Sequence, residues 1–138
     1  MTHKTLPEGL HPDTLAIRAA AERSQYGENS EALYLTSGYV QPSAEVSARR
    51  FAGEEEGYTY GRSGNPTREA LEDTVAALEG GAIACAFGSG MAAISSTLLL
   101  FAPGDHLVVC EDVYGGAFRI LTSVFARWKS GASLLPAT

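Results

Sequence analysis

Apolar and polar residues follow two different patterns along the chain. In the first half, apolar residues are scattered among glycine, serine, proline and charged residues. The pattern there predicts short helices over Thr14–Arg23, with Asp13 as N-cap, and over Ala44–Phe51. It also predicts extended backbone over Tyr34–Val40 and a solvated acidic loop at Glu54–Glu56. This half is typical of an arm that packs on another part of the molecule.

The second half begins with a well-delimited helix. Asparagine and proline at positions 65–66 predict its start, since asparagine is a good N-cap and proline fits the first helical position. Leu71, Val75 and Leu78 then recur at i, i+4 and i+7, which gives one apolar stripe. The pair Gly80–Gly81 predicts the end of the helix, because glycine accepts the left-handed conformation found there.

Apolar runs and glycine turns alternate over the rest of the chain. They predict strands and helices in strict succession, because each run has the length of one element. That order indicates an α/β unit with parallel strands and right-handed crossovers. The predicted elements are a strand at Ala82–Phe87, a buried helix at Met91–Phe101, a strand at Leu107–Cys110, a helix at Gly116–Trp128 and a strand at Ala132–Leu135.

Composition narrows the class of protein. The 138 residues, 45% of them hydrophobic, suffice for one domain with a core. Charged residues make up 19% of the chain, below the roughly 25% usual for soluble domains, so we expect a partner chain to cover some surface. The 15 glycines among 138 residues exceed the roughly 7% glycine content usual in proteins, and they predict backbone that runs close to a ligand.

Charge and apolar run lengths exclude other classes. A net charge of −6 argues against binding nucleic acid through its phosphates. No signal-peptide core is present, and the apolar stretch Met91–Pro103, interrupted by Ser95 and Thr97, is too short to span a bilayer. We therefore expect a cytoplasmic protein. Cys85 and Cys110 lie in apolar runs without metal-ligand spacing, which predicts buried, reduced thiols and no metal site.

Three glycine turns are candidate sites of chemistry. Gly88-Ser89-Gly90 joins a predicted strand to a predicted helix, where backbone N–H groups and the helix dipole favour an anion. In Tyr60-Gly61-Arg62, extended backbone would put the tyrosine and arginine side chains on one face, with the guanidinium suited to a phosphate. Tyr114 follows the second strand and lies at the same rim of the sheet as the first turn, where its ring could stack on a flat cofactor.

Each turn also has a plain structural interpretation. A tight strand-to-helix turn that needs glycine explains Gly88-Ser89-Gly90 equally well. This turn matches neither the GxGxxG fingerprint nor a Walker loop. Arg62 is otherwise a surface arginine, and Tyr60 and Tyr114 are otherwise packed tyrosines. A small phosphate-binding α/β module remains an alternative that rests on the first turn alone.

Taken in order, YGRSGNPT, GSGMAA and DVYGG resemble the pyridoxal-phosphate (PLP) enzymes of cysteine and methionine metabolism. The likeness runs from about Asp13 to about Trp128 and fades around Lys129–Pro136; the segments Asp13–Ala19 and Ala32–Val40 are most similar to the sulfhydrylase and synthase branches. The resemblance implies a partial α/β fold of the aspartate-aminotransferase-like type (type I). It further implies an N-terminal arm at 1–62, followed at 63–138 by the first part of the large PLP-binding domain.

The resemblance also implies roles for individual residues. Ser89, Gly90 and Met91 would bind the PLP phosphate through backbone N–H groups, and Tyr60 and Arg62 would reach the same phosphate from a neighbouring subunit. Tyr114 would stack on the pyridine ring and transfer a proton. The whole enzyme would be a dimer of dimers acting on a small amino-acid substrate. Gly61 replaces a serine usual in the family, a departure that leaves the chemistry of the flanking side chains unchanged.

The activity that the resemblance implies requires a residue that the matching motifs of this chain do not contain. The family performs transsulfuration, by γ-replacement or elimination on substrates such as an O-acylhomoserine. It needs a Schiff-base lysine, and neither of the two lysines, Lys4 and Lys129, follows the matching pattern. We therefore expect the N-terminal portion of such an enzyme. A cystathionine lyase of the same family and a catalytically inactive fragment are the alternatives.

Overall fold

The computed structural model describes residues 9–21, 23–128 and 131–135. The chain divides into two compact units, Met1–Ala86 and Phe87–Thr138. Within the described residues the elements are α1 (Pro12–Arg18), α2 (Ala44–Ala52), α3 (Pro66–Glu79), α4 (Gly90–Leu98), β1 (His106–Cys110), α5 (Gly115–Arg119), a π-helical turn (Ile120–Val124), a 3-10 turn (Phe125–Trp128) and β2 (Gly131–Leu135).

In the first unit, α1 is shorter and starts earlier than the sequence predicts. His11 is the N-cap, and its Nδ1 accepts a hydrogen bond from the Asp13 backbone N–H at 3.3 Å. The predicted N-cap, Asp13, therefore lies inside the first turn. The reason is Pro12, whose fixed φ suits the first helical position and moves the cap back by two residues. The helix ends at Arg18 rather than at Arg23.

Helix α2 confirms the prediction and extends it by one residue. Ser43 caps its start, and Gly53 ends it with a φ of 74°. The acidic run that follows is anchored at Glu55, which lies 2.7 Å from Arg49 Nη2 and 3.3 Å from Arg50 Nε. The hydrogen bond from Arg49 is the main cause that holds the pKa of Glu55 below its ordinary value. The prediction of a solvated acidic loop thus missed this ion-paired carboxylate.

Helix α3 begins and ends where the sequence predicts. The Asn65 side chain accepts hydrogen bonds from the N–H groups of Thr67 and Arg68 at 2.9 and 3.3 Å, and Gly80 closes the helix with a φ of 64°. Asn65 Nδ2 also donates to the Tyr34 carbonyl at 3.0 Å, and Tyr34 N–H donates to Thr67 Oγ1 at 2.9 Å. The start of α3 therefore fixes the extended segment that precedes it.

The second unit contains a parallel pair of strands, which confirms the α/β class. The pair runs in register from His106 opposite Gly131 to Cys110 opposite Leu135, and the helical segment of residues 115–128 connects the two strands. Each strand begins one residue earlier than predicted. In the described part of the chain, residues 82–87 form no strand, which contradicts the sequence prediction. A strand requires a neighbour's hydrogen-bond ladder; here the Ala86 N–H instead donates to Glu72 Oε1 at 2.7 Å.

The connecting segment is helical, but it is not one continuous α-helix. It passes from α5 to a π-helical turn and then to a 3-10 turn. Apolar periodicity predicts a helical segment, but its changes of hydrogen-bond spacing have no clear sequence signal. The predicted helix Met91–Phe101 is likewise shorter, since α4 spans Gly90–Leu98.

Apolar burial is sparse. The buried apolar side chains of the described residues are Ala76 in the first unit and Ala117, Leu121 and Phe125 in the second. The predicted buried helix α4 has no fully buried residue, and the predicted stripe of α3 is 40–55% exposed. Cys85 and Cys110 are exposed as well, contrary to the prediction. The packing layers that would cover these positions are not supplied by the described residues. Among the residues that the structure describes, no helix is long and apolar enough to cross a membrane.

Replacing Asn65 by alanine should lower the free energy of unfolding by about 0.5–2 kcal/mol, the range for losing an N-cap. The change removes both cap hydrogen bonds and the bond to Tyr34. Urea denaturation followed by circular dichroism measures the loss. Asn29→Ala, at an exposed position outside the helices, is the matched control. An equal effect of the two substitutions would contradict the role of Asn65.

Candidate functional site

The loop of residues 58–65, which joins the segment after α2 to α3, is tightly hydrogen-bonded. Gly38 and Tyr60 form an isolated antiparallel bridge, and Gly61 N–H donates to the Ser37 carbonyl at 2.8 Å. The Tyr60 carbonyl accepts from the N–H groups of Ser63 and Gly64 at 2.9 and 3.0 Å, which closes a turn. The 58–65 loop therefore has a defined backbone although it lies between regular elements.

The structure brings Tyr60 and Arg62 together, but by a different route from the predicted one. The Arg62 guanidinium carbon lies 4.9 Å from the centre of the Tyr60 ring, a cation–π contact. Extended alternation does not cause this proximity, because residues 61–63 form a turn. Both side chains are exposed, so the guanidinium and the phenol are accessible to a ligand.

Neighbouring side chains hold the start of the 58–65 loop. Tyr58 OH donates to Glu69 Oε2 at 2.6 Å, and the Tyr58 ring stacks on Tyr39 with centroids 5.2 Å apart. Gln41 Nε2 donates to the carbonyls of Tyr39 and Tyr58 at 3.1 and 2.9 Å, and Arg50 Nη1 donates to Gln41 Oε1 at 3.0 Å. These contacts fix the backbone that leads into Tyr60.

In the second unit, the turn of residues 88–90 forms the start of α4. Ser89 is the N-cap, and its Oγ accepts from the Ala92 N–H at 3.1 Å, which leaves the hydroxyl hydrogen free to donate outward. The N–H groups of Gly90 and Met91 lie in the first helical turn, where backbone N–H groups have no intrahelical acceptor. Among the described residues, a side-chain carbon added at Gly88 or Gly90 would meet no atom within 4 Å. The turn is therefore an open set of hydrogen-bond donors.

Tyr114 and Met91 meet at Gly116. A Cβ atom added to Gly116 would lie 2.7 Å from Tyr114 Cε1 and 2.8 Å from Met91 Sδ, so a larger residue at position 116 would require these side chains to shift. Tyr114 directly precedes α5 and is 71% exposed, which leaves its ring and hydroxyl accessible. The predicted turns at 88–90 and 114–116 are thus brought together within the second unit.

Each unit, taken by itself, offers hydrogen-bond donors that suit a phosphate group. The second unit offers backbone N–H groups, a hydroxyl and the positive end of a nine-residue helix, all of which favour an anion. The first unit offers a guanidinium and a phenol. Tyr114 adds an exposed aromatic ring beside the backbone donors, which suits a flat group attached to the phosphate. In the same described stretches, no group of three or more metal-ligating side chains occurs.

Sequence reasoning missed the residues that support Arg62. Arg68 donates from Nη1 to the Arg62 carbonyl at 2.9 Å and from Nη2 to the Ser63 carbonyl at 3.1 Å. Its Nε lies 3.5 Å from Glu72 Oε1. The i,i+4 spacing of Arg68 and Glu72 on α3 signals an ion pair, but nothing in the spacing indicates the loop carbonyls.

Most of the chain matches the sequence model of one known protein family. Residues 13–137 match the sequence model of the family described as Cys/Met metabolism PLP-dependent enzyme. The match extends through the segment 129–136, where motif resemblance fades. O-succinylhomoserine sulfhydrylase of Mycobacterium tuberculosis is 41% identical over 128 residues, which are 92% of this chain and 32% of that protein. Cystathionine beta-lyase MetC of Bacillus subtilis is 62% identical over 71 residues, 51% of this chain and 18% of that protein.

Solved structures of similar proteins share the fold. The crystal structure of metB from Corynebacterium glutamicum superposes with a TM-score of 0.82 at 35% identity, covering 96% of this chain and 33% of that one. Putative O-acetylhomoserine (thiol)-lyase from Campylobacter jejuni, solved with N'-pyridoxyl-lysine-5'-monophosphate, gives a TM-score of 0.80 at 27% identity, covering 93% and 32%. The chain spans about a third of the length of the sulfhydrylase and of these two structures.

Serine at position 61 should weaken the packing of the 58–65 loop. A Cβ atom there would lie 2.9 Å from the Thr36 carbonyl oxygen, so backbone would have to move. We expect Gly61→Ser to lower the free energy of unfolding by about 1–3 kcal/mol, the range for overpacking. Gly38→Ala is the control, because a Cβ at Gly38 meets nothing within 4 Å among the described residues. Equal denaturation midpoints for the two variants would refute the close approach.

Proposed function

Because this chain belongs to the family of Cys/Met metabolism PLP-dependent enzymes, we propose that the protein carrying it catalyses transsulfuration on an O-acylhomoserine-type amino acid. PLP is the cofactor of this family. The observation that carries the proposal is the meeting of two cofactor motifs in the second unit, where Met91 of the helix-capping turn and Tyr114 both approach Gly116. The proposed setting is amino-acid biosynthesis in the cytoplasm.

Two branches of the family are candidates for the reaction. The sulfhydrylase branch is favoured by an alignment that covers 92% of this chain at 41% identity. A cystathionine lyase is favoured by a shorter segment with 62% identity over 71 residues. We place γ-replacement by a thiol first, because its support extends over nearly all of the described chain, and keep elimination as the second candidate.

The 88–90 turn would bind the phosphate of PLP. Backbone N–H groups of Gly90 and Met91 would donate to phosphate oxygens, and the Ser89 hydroxyl would add a donor while its oxygen keeps the helix cap. When bound, PLP supplies an electron sink for the carbanion of an amino-acid substrate. Residues of this chain would bind the cofactor and orient it.

Tyr114 would serve as the catalytic residue of this chain. Its ring, 71% exposed, is available to lie flat on the pyridine ring, and its phenolic oxygen is available to hold or move a proton. The Tyr114 ring lies beside Gly116, where a side chain would displace it. Glycine at position 116 would therefore leave room for the ring at the cofactor.

Arg62 and Tyr60 would complete the phosphate site. The guanidinium presents a planar set of donors suited to phosphate oxygens, and the phenol adds one more. In this proposal they serve the cofactor of a neighbouring subunit in a homo-oligomer, a dimer of dimers. The low charged fraction of the chain, 19%, supports covered surface of that kind.

The lysine that binds PLP covalently has no candidate in this chain. Lys4 and Lys129 lie outside the described residues, and neither follows the family motif. We propose that this lysine comes from another part of the protein that carries the chain. The alternative is that the chain alone is catalytically inactive.

Arg62→Ala should weaken PLP binding by about 1.5–3 kcal/mol, the range for hydrogen bonds to charged groups. Titration of the cofactor-free protein that carries this chain, followed by tyrosine fluorescence quenching, measures the change. Arg18→Ala, an exposed arginine on α1, is the control and should leave affinity unchanged. Equal affinities for the Arg62 and Arg18 variants would remove Arg62 from the site.

Mixed oligomers test the neighbouring-subunit arrangement. Variants Arg62→Ala and Tyr114→Phe each damage every site, but a hybrid contains some sites with both residues intact, because the two residues come from different subunits. Activity should therefore rise above that of either parent when the two are unfolded and refolded together. If both residues came from one subunit, refolded mixtures would equal the average of their parents.

A further inference from the structure

Arg68 contacts both a side chain of its own helix and the backbone of the 58–65 loop. It lies on α3, one turn before Glu72, and the Nε–Oε1 distance of 3.5 Å makes an i,i+4 ion pair. Its two terminal nitrogens point away from the helix and donate to the carbonyls of Arg62 and Ser63. The ion pair with Glu72 forms within the helix and needs none of these loop contacts. The guanidinium is therefore placed to hold the loop rather than only the helix.

The loop contacts fix the backbone from which the Arg62 side chain extends. Nη1 donates to the carbonyl of Arg62 itself, and Nη2 donates to that of the next residue, so a single planar group spans both peptides. Two parallel hydrogen bonds from a rigid group restrict rotation about the intervening bonds. The Arg62 guanidinium, resting on the Tyr60 ring, then has a limited range of positions.

Glu72 in turn forms an ion pair with Arg68. The Glu72 side chain is only 18% exposed, and the oxygen that faces Arg68 Nε also accepts the Ala86 N–H at 2.7 Å. A short hydrogen bond to a charged oxygen is among the stronger kinds. One carboxylate thus holds the backbone of Ala86 by a hydrogen bond and faces the buried Arg68 Nε as an ion pair without a hydrogen bond.

We infer that Arg68 is a positioning residue for Arg62, held by Glu72, and that the pair sets the affinity for the phosphate of PLP. The inference rests on the proposed phosphate role of Arg62. Arg68 itself does not touch the ligand in this arrangement; it acts by reducing the conformational freedom that Arg62 would lose on binding. Its effect should therefore disappear when Arg62 is absent.

A double-mutant cycle tests this dependence in the cofactor-free protein that carries the chain. Arg68→Met should weaken PLP binding about tenfold, as expected for losing a pair of orienting hydrogen bonds. In an Arg62→Ala background the same substitution should change affinity by less than about twofold, because the two residues act as a unit. Pyridoxal, which lacks the phosphate, should bind both single variants and the parent equally.

Glu72→Gln provides a second, milder variant that keeps an acceptor for Ala86. It should weaken PLP binding about threefold by removing the charge that orients Arg68. Glu79→Gln, the same substitution at an exposed site on the same helix, is the control and should have no effect. Amide hydrogen exchange without cofactor gives an independent readout: Ser63 and Gly64 should exchange faster in Arg68→Met, while Ala86 stays protected in Glu72→Gln.

The outcomes separate the two proposals. If Arg62→Ala weakens PLP binding and Arg68→Met does not, the positioning role is overturned and the proposed function stands. Equal losses from Arg68→Met with and without Arg62 would show a general structural role and also overturn the inference. If Arg62→Ala itself leaves PLP affinity unchanged, the phosphate role of Arg62 fails and the inference fails with it.

Discussion

The N-cap Asn65 and polar side chains on the first half of helix α3 hold the non-helical segments of the first unit. Together they bond the extended segment at Tyr34, the 58–65 loop and the backbone at Ala86. Asn65 bonds the Tyr34 carbonyl, Arg68 bonds the carbonyls of Arg62 and Ser63, Glu69 accepts from Tyr58, and Glu72 accepts from Ala86. The candidate residues Tyr60 and Arg62 thus owe their positions to α3, although neither belongs to it. A well-capped helix at this point in the chain is the condition for the loop geometry.

Polar anchoring matters here because apolar burial is limited. Ala76 is the buried apolar residue of α3, while Leu71, Val75 and Leu78 remain 40–55% exposed. Burial in the described residues therefore contributes little to holding the 58–65 loop. Hydrogen bonds to charged groups, each worth about 1.5–3 kcal/mol, take a larger share of that task. Exposed apolar faces of this kind are typical of surfaces that a partner or a further part of a protein covers.

The sequence predicts local features well and long-range ones poorly. The bounds of α3 follow from Asn65, Pro66 and Gly80, since caps and breakers act within one turn. The strand expected at 82–87 fails because strand formation depends on a partner, which periodicity does not reveal. For the candidate site, the motifs identify Arg62 and Tyr114, whereas the supporting role of Arg68 is missed. Its acceptors lie outside α3, and only the folded loop brings their carbonyls within reach.

The backbone donors of the 88–90 turn and the Arg62 side chain differ in the conformational entropy that each would lose on binding an anion. The N–H groups of Gly90 and Met91 are held by the helix, so binding an anion there sacrifices little conformational freedom. Arg62 is a long, exposed side chain that would lose rotamer freedom worth up to about 2 kcal/mol on being fixed. That loss would cancel much of what a charge-assisted hydrogen bond contributes. Anchoring the Arg62 backbone through Arg68, and resting its guanidinium on Tyr60, reduces the loss before any ligand arrives. A flexible arginine would thereby approach the behaviour of a preformed site, and in the proposed phosphate site the residues that anchor Arg62 would matter as much as those that face the ligand.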